Sequence, residues 1–288
     1  MKKVLVVENR NAGRKKAVKY KKQLIKILLS QNIYFKSIGI EAINDSVISD
    51  FDTVIVIGGD GTVNKLIPYI INTEIKLGII PCGTANLLAA KLGISTNIKQ
   101  AIEIIASNNF TSVDTFKINE YYSVLRLGLG YDADIICKTP QSLKNRFGYF
   151  AYFISGILFA LRLKQKKYVI SFNGKKISIK ATCIIAANAG NMFRNIFSIS
   201  QKCNLCDGLM DVFILKVKNP FLFFFEFLQI IFDKKVSNTK ALYFQTPNLV
   251  IKNDFVTGHI DGEKQKFKGD IEISIAPRSV KILCHNNY

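Results

Sequence analysis

Short apolar runs alternate with segments of helical periodicity along the chain up to Ser107. The apolar runs are rich in β-branched residues and predict buried strands at residues 4–7, 33–38, 54–57 and 75–80. Between them, apolar residues that recur every three or four positions predict helices at residues 14–30, 87–92 and 98–107, with 47–50 as a short connection. A helix should also follow residue 61, and we expect it to be short or distorted because Pro68 is tolerated only in a first turn. This alternation is typical of a parallel sheet covered by helices.

The pattern changes to a period of two from about Val113 onwards. It predicts strands at residues 122–127, 167–172, 176–180, 182–187, 210–217, 241–244, 248–251, 271–275 and 280–284. Asn173-Gly174 is a strong hairpin signal, and the apolar stretch 148–163 predicts a helix. These elements favour a β-rich second domain, either a sandwich or a barrel. We therefore expect an α/β domain over residues 1–118 and a β-rich domain over residues 119–288.

Polar or glycine-bearing loops follow three of the predicted strands, at residues 8–13, 58–64 and 81–86. The carboxyl ends of parallel strands are where open α/β sheets bind ligands. In the central loop, Gly58, Gly59 and Gly61 can adopt positive φ and let a ligand approach the backbone closely. The three loops together therefore indicate one ligand-binding edge of the sheet.

Residues suited to helix capping lie in two of these loops. Thr62 and Asn64 can cap a helix after the glycines, and Asn86 or Thr84 can cap the helix that follows the third loop. Because a helix N-terminus favours anions, the central loop resembles a phosphate cradle. Asp60 suits that cradle only with a metal ion or a transferable proton, and the alternative is an ordinary turn in which Asp60 is solvated.

The composition limits the partners and the compartment. Lys and Arg number 40 against 21 Asp and Glu, a net charge of +19 that suits nucleic acid, an anionic membrane surface or a polyanionic substrate. Six cysteines in 288 residues do not indicate a secreted disulfide scaffold, and Cys203-x-x-Cys206 alone cannot complete a four-ligand zinc site. The N-terminal apolar run is too short for a signal peptide.

Two apolar stretches, 147–161 and 220–232, fall below the ~18 residues that span a bilayer, so we expect buried or interfacial helices. The protein should accordingly be soluble or peripheral to a membrane.

Nucleotide motifs narrow the chemistry. The P-loop pattern is absent, so the glycine loops rather than a lysine cradle would hold a nucleotide. Gly128-x-Gly130-x-x-Ala133 fits a dinucleotide fingerprint, but no acid lies near position 153 to bind a ribose, and a tight strand-end turn also explains it.

Phosphoryl transfer needs phosphate positioning, Mg²⁺ and a base for the attacking hydroxyl. The candidate carboxylates are Asp60, the segment 207–211, which holds Asp207 and Asp211, and Asp261-Gly262-Glu263. Both Asp-Gly dipeptides are also ordinary turn sequences.

Four segments in order resemble the diacylglycerol kinase catalytic domain family, which includes bacterial lipid kinases and sphingosine kinases and, more distantly, NAD kinases. The first segment, 58–64, is similar to the glycine signature, and the second, 80–89, to the second nucleotide loop of the bacterial members. Residues 207–209 are similar to their structural magnesium segment and 261–263 to the segment of their proposed catalytic acid. The resemblance covers nearly the whole chain.

The resemblance implies an N-terminal α/β domain of NAD-kinase type, a C-terminal β-sandwich, and bound ATP and Mg²⁺. It implies a catalytic set in which Glu263 is the active-site acid with Asp261 beside it, and Asp60 joins this set because it lies in the glycine loop. The residues expected at ATP are Asn9, Gly58, Gly59, Asp60, Gly61, Thr62, Val63, Asn64 and Thr84. The expected Mg²⁺ ligands are Asp207 and the backbone at Asn204 and Leu209.

The leading hypothesis is an ATP-dependent lipid kinase that phosphorylates a hydroxyl of diacylglycerol or a related lipid. The alternatives are a NAD kinase and a non-catalytic basic module that binds membrane or nucleic acid, although no nucleic-acid-binding pattern is present. We expect a cytoplasmic protein that associates peripherally with an anionic membrane, either as a monomer or as a homodimer. The segment 221–228, with Lys216, Lys218, Lys234 and Lys235 flanking it, is the expected membrane contact, and the alternative is a helix buried against the β domain.

Overall fold

The structure, a computed structural model, describes residues 3–9, 15–147, 150–160, 163–188, 191–193, 197–198, 204–219, 221–222, 225 and 240–285. The chain divides into two compact units. The first comprises Met1–Asp114 with Arg278–Tyr288, and the second comprises Thr115–Pro277.

The elements are numbered along the chain. Those of the N-terminal part are β1 (Lys3–Glu8), α1 (Lys15–Ser30), β2 (Tyr34–Gly39), α2 (Asp45–Ile48), β3 (Thr53–Gly58), α3 (Asp60–Ile70), β4 (Lys76–Pro81), α4 (Leu87–Lys91), α5 (Ile98–Ser107) and β5 (Phe110–Ile118). Those that follow are β6 (Tyr121–Ser123), β7 (Arg126–Gly130), α6 (Tyr131–Lys138), α7 (Gln141–Phe147), α8 (Phe150–Ala160), β8 (Lys166–Phe172), β9 (Lys175–Ala181), β10 (Cys183–Ala187), β11 (Asn191–Phe193), β12 (Phe197–Ser198), β13 (Met210–Leu215), β14 (Ala241–Thr246), β15 (Asn248–Lys252), β16 (Phe255–Ile260), β17 (Glu263–Lys268) and β18 (Ile271–Leu283).

The first unit has a parallel sheet in the order β2-β1-β3-β4, and the C-terminal end of β18 pairs in parallel with β4. Buried residues of these strands pack with one apolar stripe of α1, for example Val6 and Ile57 with Leu24 and Leu28. The carboxyl ends of β1, β3 and β4 therefore lie along one edge of the sheet. The predicted α/β class is confirmed.

The second unit is a β-sandwich. One antiparallel sheet has the order β14-β13-β10-β7-β16-β17, and the other contains β15, β8, β9 and the N-terminal end of β18. A shared core lies between them, with Leu129 and Ile184 from the first sheet and Ile170 and Ile251 from the second. The predicted sandwich is confirmed, and the barrel alternative is excluded.

Three helical expectations are corrected. Helix α3 is not short: it runs for 11 residues with Pro68 two positions before its last residue, and Ile71 N–H still closes the last turn on Ile67 O at 3.0 Å. The first two residues of the connection predicted at 47–50 belong to helix α2, which Asn44 caps by accepting from Val47 N–H. The predicted helix at 148–163 is α8 alone, and α6 and α7, which precede it, were not predicted from the sequence.

Three strand expectations are corrected as well. The predicted strand 122–127 is split into β6 and β7, because Val124 N–H and Leu125 N–H donate to the Asp261 carboxylate instead of a sheet partner. The predicted strands 271–275 and 280–284 are one strand, β18, in which Arg278 has a φ of 49° and donates its N–H to Asp114 at 2.7 Å. The hairpin β16–β17 was not among the predicted strands. Among the described residues, no helix is both long and apolar enough to cross a bilayer.

Candidate functional site

The first loop is tied to the glycine loop at the carboxyl edge of the first unit's sheet. Asn9 donates its backbone N–H to Ile57 O at 3.3 Å, and its side-chain Nδ2 donates to Thr62 Oγ1 at 3.1 Å. The remainder of this loop, residues 10–13, lies outside the described residues. Asn9 is therefore held by the end of β3 and by Thr62, which was itself expected at a nucleotide.

The glycine loop touches the third loop backbone to backbone. A Cβ added to Gly59 would lie 2.8 Å from Gly83 Cα, and one added to Gly83 would lie 2.6 Å from Gly59 Cα. A Cβ on Gly58 would lie 2.6 Å from Thr62. None of Gly58, Gly59 and Gly61 has a positive φ, so the expectation based on backbone freedom is wrong. Close approach is what requires glycine at positions 58 and 59.

Asp60 joins the two loops through its side chain. Its Oδ2 accepts the N–H of Leu87 at 3.0 Å and its Oδ1 accepts the N–H of Leu88 at 3.1 Å, so the carboxylate caps helix α4. Asn86 does not cap this helix, since its side chain instead bonds both the N–H and the carbonyl of Gly83. The expectation that Asn86 or Thr84 supplies the cap is therefore wrong.

Helix α3 begins at Asp60 with Gly59 as its N-cap and no side-chain cap. Thr62 and Asn64 lie inside the helix, so the expectation that they cap it is wrong. Val63 is buried and its backbone N–H donates to Gly59 O at 3.1 Å, whereas Thr84 is exposed in the third loop. An uncapped helix start beside closely packed glycines suits a phosphate group, so these residues fit the phosphates of ATP.

The predicted acid segment is the two-residue turn between β16 and β17 in the second unit. Asp261 and Gly262 have φ values of 48° and 91°, as the turn of a tight hairpin requires. The Asp261 carboxylate accepts from Ser123 Oγ at 2.6 Å, Arg126 N–H at 2.7 Å, Val124 N–H at 3.1 Å and Leu125 N–H at 3.2 Å. Burial raises the pKa of the Asp261 carboxyl, although the donors from Ser123 and the backbone act to lower it. This carboxylate is an anchor for the turn.

Glu263 directly follows this turn as the first residue of β17, where it pairs with Ile260. Its side chain is exposed. The two acids of the segment thus differ sharply: Asp261 is held by four donors, and Glu263 faces solvent.

A buried charged cluster stands beside the turn, and it was missed from the sequence. His259 Nε2 lies 2.6 Å from Asp132 Oδ2, and Arg126 Nη2 lies 3.5 Å from Asp132 Oδ1. Burial would raise the pKa of Asp132, but Arg126 and His259 lower it to about 2. The signals in the sequence were a histidine in a largely apolar strand and Gly128 in a neighbouring one. Gly128 therefore makes room for this cluster rather than binding a dinucleotide: a Cβ there would overlap both Asp132 Oδ2 and His259 Nε2.

The predicted magnesium segment precedes β13. Asp207 Oδ1 accepts Leu209 N–H at 3.0 Å, Gly208 has a φ of 73°, and Asn204 Oδ1 accepts Cys206 N–H at 3.0 Å. One carboxylate with backbone carbonyls is an oxygen set that suits Mg²⁺. Within the described ranges no three His, Cys, Asp or Glu side chains gather as a metal cluster. The segment therefore fits Mg²⁺ only as a site made mainly of carbonyl oxygens.

The magnesium segment and the acid turn share one end of the six-stranded sheet. Asp211 pairs with Ala187, Ala187 pairs with Arg126, and Asp261 N–H donates to Arg126 O at 3.0 Å. The start of β13 and the end of β16 are thus separated by β10 and β7, three strand spacings or about 14 Å.

The segment expected at a membrane is described only in part. Phe221 is 84% exposed and Phe225 is 55% exposed, and Asn219 Oδ1 accepts the N–H of Phe221 and Leu222 at the start of a helix. Phe223, Phe224 and residues 226–239 lie outside the described residues, as does Cys203 of the CxxC pair.

Two family models together cover almost the entire chain. Residues 3–118 match the model described as "Diacylglycerol kinase catalytic domain". Residues 126–284 match the model described as "YegS C-terminal NAD kinase beta sandwich-like domain".

Similar proteins are found among sequences and solved structures. An uncharacterized protein of Synechocystis sp. is 34% identical over 159 residues, which are 55% of this chain and 37% of that protein. A Staphylococcus aureus (strain JH9) protein named "Putative lipid kinase" is 29% identical over 250 residues, which are 83% of this chain and 79% of that one. The crystal structure of "a putative diacylglycerol kinase" from Bacillus anthracis str. Sterne has a TM-score of 0.84 at 20% identity, covering 99% of this chain and 97% of that chain. At that identity the structural likeness shows the fold alone.

Proposed function

The chain belongs to the family in which a diacylglycerol kinase catalytic domain precedes a YegS C-terminal NAD kinase beta sandwich-like domain, and from this premise we propose that it is an ATP-dependent lipid kinase. The reaction is transfer of the γ-phosphoryl group to a hydroxyl of diacylglycerol or a related lipid. A bond forms between the lipid oxygen and the γ-phosphorus, the bond from that phosphorus to the leaving ADP oxygen breaks, and the hydroxyl proton passes to a carboxylate.

The observation that carries the proposal is the edge of the first unit's sheet. Asn9 hydrogen-bonds Thr62 there, Gly59 and Gly83 approach each other closely, and α3 begins there without a side-chain cap. Backbone N–H groups at the start of α3 would bind the phosphates, other than those of Thr62 and Val63, which donate to Gly59 O at 2.9 and 3.1 Å. The absence of side chains at the glycines would let the phosphates approach. Thr84, exposed in the adjoining loop, would contact the nucleotide.

Glu263 is the carboxylate that we propose as the base. Asp60 accepts two backbone N–H groups and Asp261 accepts four donors, so their oxygens are committed to structure. Glu263 is exposed and directly follows the anchored turn, which limits its freedom without occupying its oxygens. Asp261 and Asp60 would then act by positioning rather than by proton transfer.

Mg²⁺ is proposed as the metal. Bound with ATP, it would supply charge neutralisation on the phosphates. A second ion at Asp207, with the carbonyls of Asn204 and Leu209, would brace the loop before β13.

A cavity of about 420 Å³ in the second unit supports a lipid acceptor. Its wall is partly apolar and its rim is basic, so an acyl chain and an anionic headgroup would both find complementary surface. The apolar residues are Ala133, Tyr131, Phe159, Leu163 and Tyr168, and the basic ones are Lys138, Lys164, Lys166 and Lys264. With the net charge of +19, this supports a cytoplasmic protein that works at an anionic membrane surface.

The test is a phosphorylation assay with the full chain, γ-labelled ATP and Mg²⁺. The acceptors are phosphatidylglycerol vesicles that contain diacylglycerol or another hydroxyl lipid from a panel, and NAD in a parallel reaction. We expect label in the organic extract. Label in NADP alone would establish the NAD kinase alternative, and no transfer to any acceptor would leave a non-catalytic binding protein.

A further inference from the structure

The Asp132–His259 pair is fully enclosed and is not part of the proton transfer proposed above. The side chains of His259 and Asp132 are 0% and 4% exposed, and Asp132 also faces Arg126. Enclosing such a pair costs free energy that well-packed apolar side chains would not require, so its presence calls for a role other than stability alone.

The hydrogen bonds assign the tautomer of the imidazole. Gly262 donates its backbone N–H to His259 Nδ1 at 3.2 Å, so Nδ1 acts as an acceptor. The other nitrogen, Nε2, faces the Asp132 carboxylate at 2.6 Å and therefore carries the proton. Asp132 thus selects the Nε2–H form, and only that form can accept the Gly262 N–H.

The hydrogen bond to His259 Nδ1 comes from Gly262, the residue that immediately precedes Glu263. Asp261 is anchored by its own carboxylate to the backbone at Val124, Leu125 and Arg126. Gly262 is held separately, by the imidazole of His259. The two halves of the turn therefore have different anchors, and the one nearer to Glu263 depends on the state of a histidine.

We propose that Asp132 and His259 are positioning residues that set the direction of Glu263 by holding His259 in its Nε2–H form. This rests on the proposed function, because Glu263 matters for catalysis only if the protein transfers a phosphoryl group. The same arrangement is used wherever a buried carboxylate orients a histidine for work on its other nitrogen.

Asp132→Asn is the decisive substitution. Arg126 attracts the oxygen of the new amide, which turns its NH₂ group towards His259 Nε2. The imidazole then favours the Nδ1–H form, whose proton opposes the Gly262 N–H. The shape of the site is kept, and only the tautomer changes.

The first measurement is the ¹⁵N spectrum of the imidazoles in the full chain. The protein has two histidines, so His285→Gln identifies the His259 signals. We expect an acceptor-type Nδ1 and a protonated Nε2 in the unmodified protein, and the reverse in Asp132→Asn. An Nδ1–H form in the unmodified protein would overturn the inference, and this measurement stands even if Asp132→Asn does not fold.

The second measurement is kinetic. Asp132→Asn should lower kcat on the order of 10- to 100-fold and leave the KM for ATP unchanged, because the proposed nucleotide residues lie in the first unit. His259→Asn, which keeps an acceptor near Nδ1, should retain more activity than His259→Leu. Asp270→Asn is the matched control, since Asp270 lies in the same unit, its carboxylate is exposed and paired with Lys252, and it does not line the cavity proposed for the lipid.

The outcomes separate the two claims. A tautomer switch with unchanged kcat, or equal activity of His259→Asn and His259→Leu, would overturn the positioning role while the kinase proposal stands. An unmodified protein with the Nε2–H form and no transfer to any acceptor would refute the proposed function, and with it the catalytic role of the pair.

Discussion

The carboxylate of Asp60 accepts the backbone N–H of Leu87 at 3.0 Å, and this bond joins the glycine loop to the helix of the neighbouring loop. Asp60 lies in the first turn of α3 while its side chain caps α4. The presence of Asp60 among glycines proposed to bind phosphate is therefore explained by its second role, which is to cap the start of α4. The bond fixes the spacing of the two loops at the edge where the nucleotide is proposed to bind.

Asp60→Ala should lower the free energy of unfolding by about 1–2 kcal/mol, because the N–H groups of Leu87 and Leu88 lose their acceptor. It should also weaken nucleotide binding as the two loops separate. Urea unfolding followed by circular dichroism measures the first effect and calorimetry with MgATP the second.

The matched control for this substitution is Asp50→Ala, since Asp50 is exposed and should tolerate the change within about 0.5 kcal/mol. Equal stability of the Asp60 and Asp50 variants would contradict the capping role. If the Asp60→Ala protein were fully stable but no longer transferred the phosphoryl group, Asp60 would again be a candidate catalytic residue.

Gly83→Ala should force the two loops apart. The new Cβ would lie 2.6 Å from Gly59 Cα and 2.8 Å from Asn86 Oδ1, so backbone must move at a cost of about 1–3 kcal/mol. We expect the Kd for MgATP to rise about tenfold or more, which corresponds to at least 1.4 kcal/mol of binding free energy.

Gly156→Ala is the control, because its Cβ would meet nothing closer than 3.6 Å. Unchanged nucleotide affinity in Gly83→Ala would exclude a need for close contact between the loops.

Local patterns predicted most of the elements. Helix α5 spans the residues that its periodicity indicates, and Asn173-Gly174 forms the expected tight hairpin with φ values of 47° and 71°. In both cases the determinant lies within a few residues of the element itself. The order of the four motifs likewise indicated both domain types.

Contacts between residues that are far apart in the sequence could not be predicted from local patterns. Asp60 meets Leu87 from 27 residues away, and Asp132 meets His259 from 127 residues away. Neither hydrophobic periodicity nor secondary-structure propensity indicates which distant residues will pair. The capping role of Asp60 and the buried cluster of Arg126, Asp132 and His259 were therefore both missed. The break between β6 and β7 has the same cause, because the Asp261 carboxylate takes N–H groups that the strand pattern assigns to a sheet.

Glu263→Gln should abolish lipid phosphorylation without a change in stability. Glutamine cannot accept the hydroxyl proton, and the exposed side chain makes little contribution to packing. We expect kcat to fall about 100-fold or more, as the loss of a general base does. Glu272→Gln, at a similarly exposed strand position, should leave kcat unchanged. Full activity of Glu263→Gln would remove it as the base and leave Asp261 or Asp60.

The free energy of unfolding should depend on the ionisation of Asp132 at acidic pH. Because the pKa of Asp132 is lowered from 3.8 to about 2 in the folded protein, its ionised form stabilises the fold above about pH 4, and this is lost as the pH falls through 2. The difference in unfolding free energy between the unmodified protein and Asp132→Asn should thus shrink by about 2 kcal/mol from pH 5 to pH 2. Urea midpoints across this range measure it, with Asp134→Asn as the control. A constant difference would show that the carboxylate is not stabilised by Arg126 and His259.

The exposed phenylalanines near residue 220 should strengthen membrane binding. Phe221 and Phe225 are 84% and 55% exposed, and transferring such side chains from water to lipid contributes about 1.5–3 kcal/mol each. Lysines at an anionic surface add about 1 kcal/mol each, and Lys216 and Lys218 precede this segment in the sequence. Replacing both Phe221 and Phe225 by Ser should therefore reduce the partition constant measured by sedimentation with phosphatidylglycerol vesicles by about 100-fold or more. Phe255→Ser removes a ring of similar exposure, 52%, from β16 and should leave sedimentation unchanged. If both variants bind as the unmodified protein does, charge alone accounts for the attachment, and high salt should then release all three proteins equally.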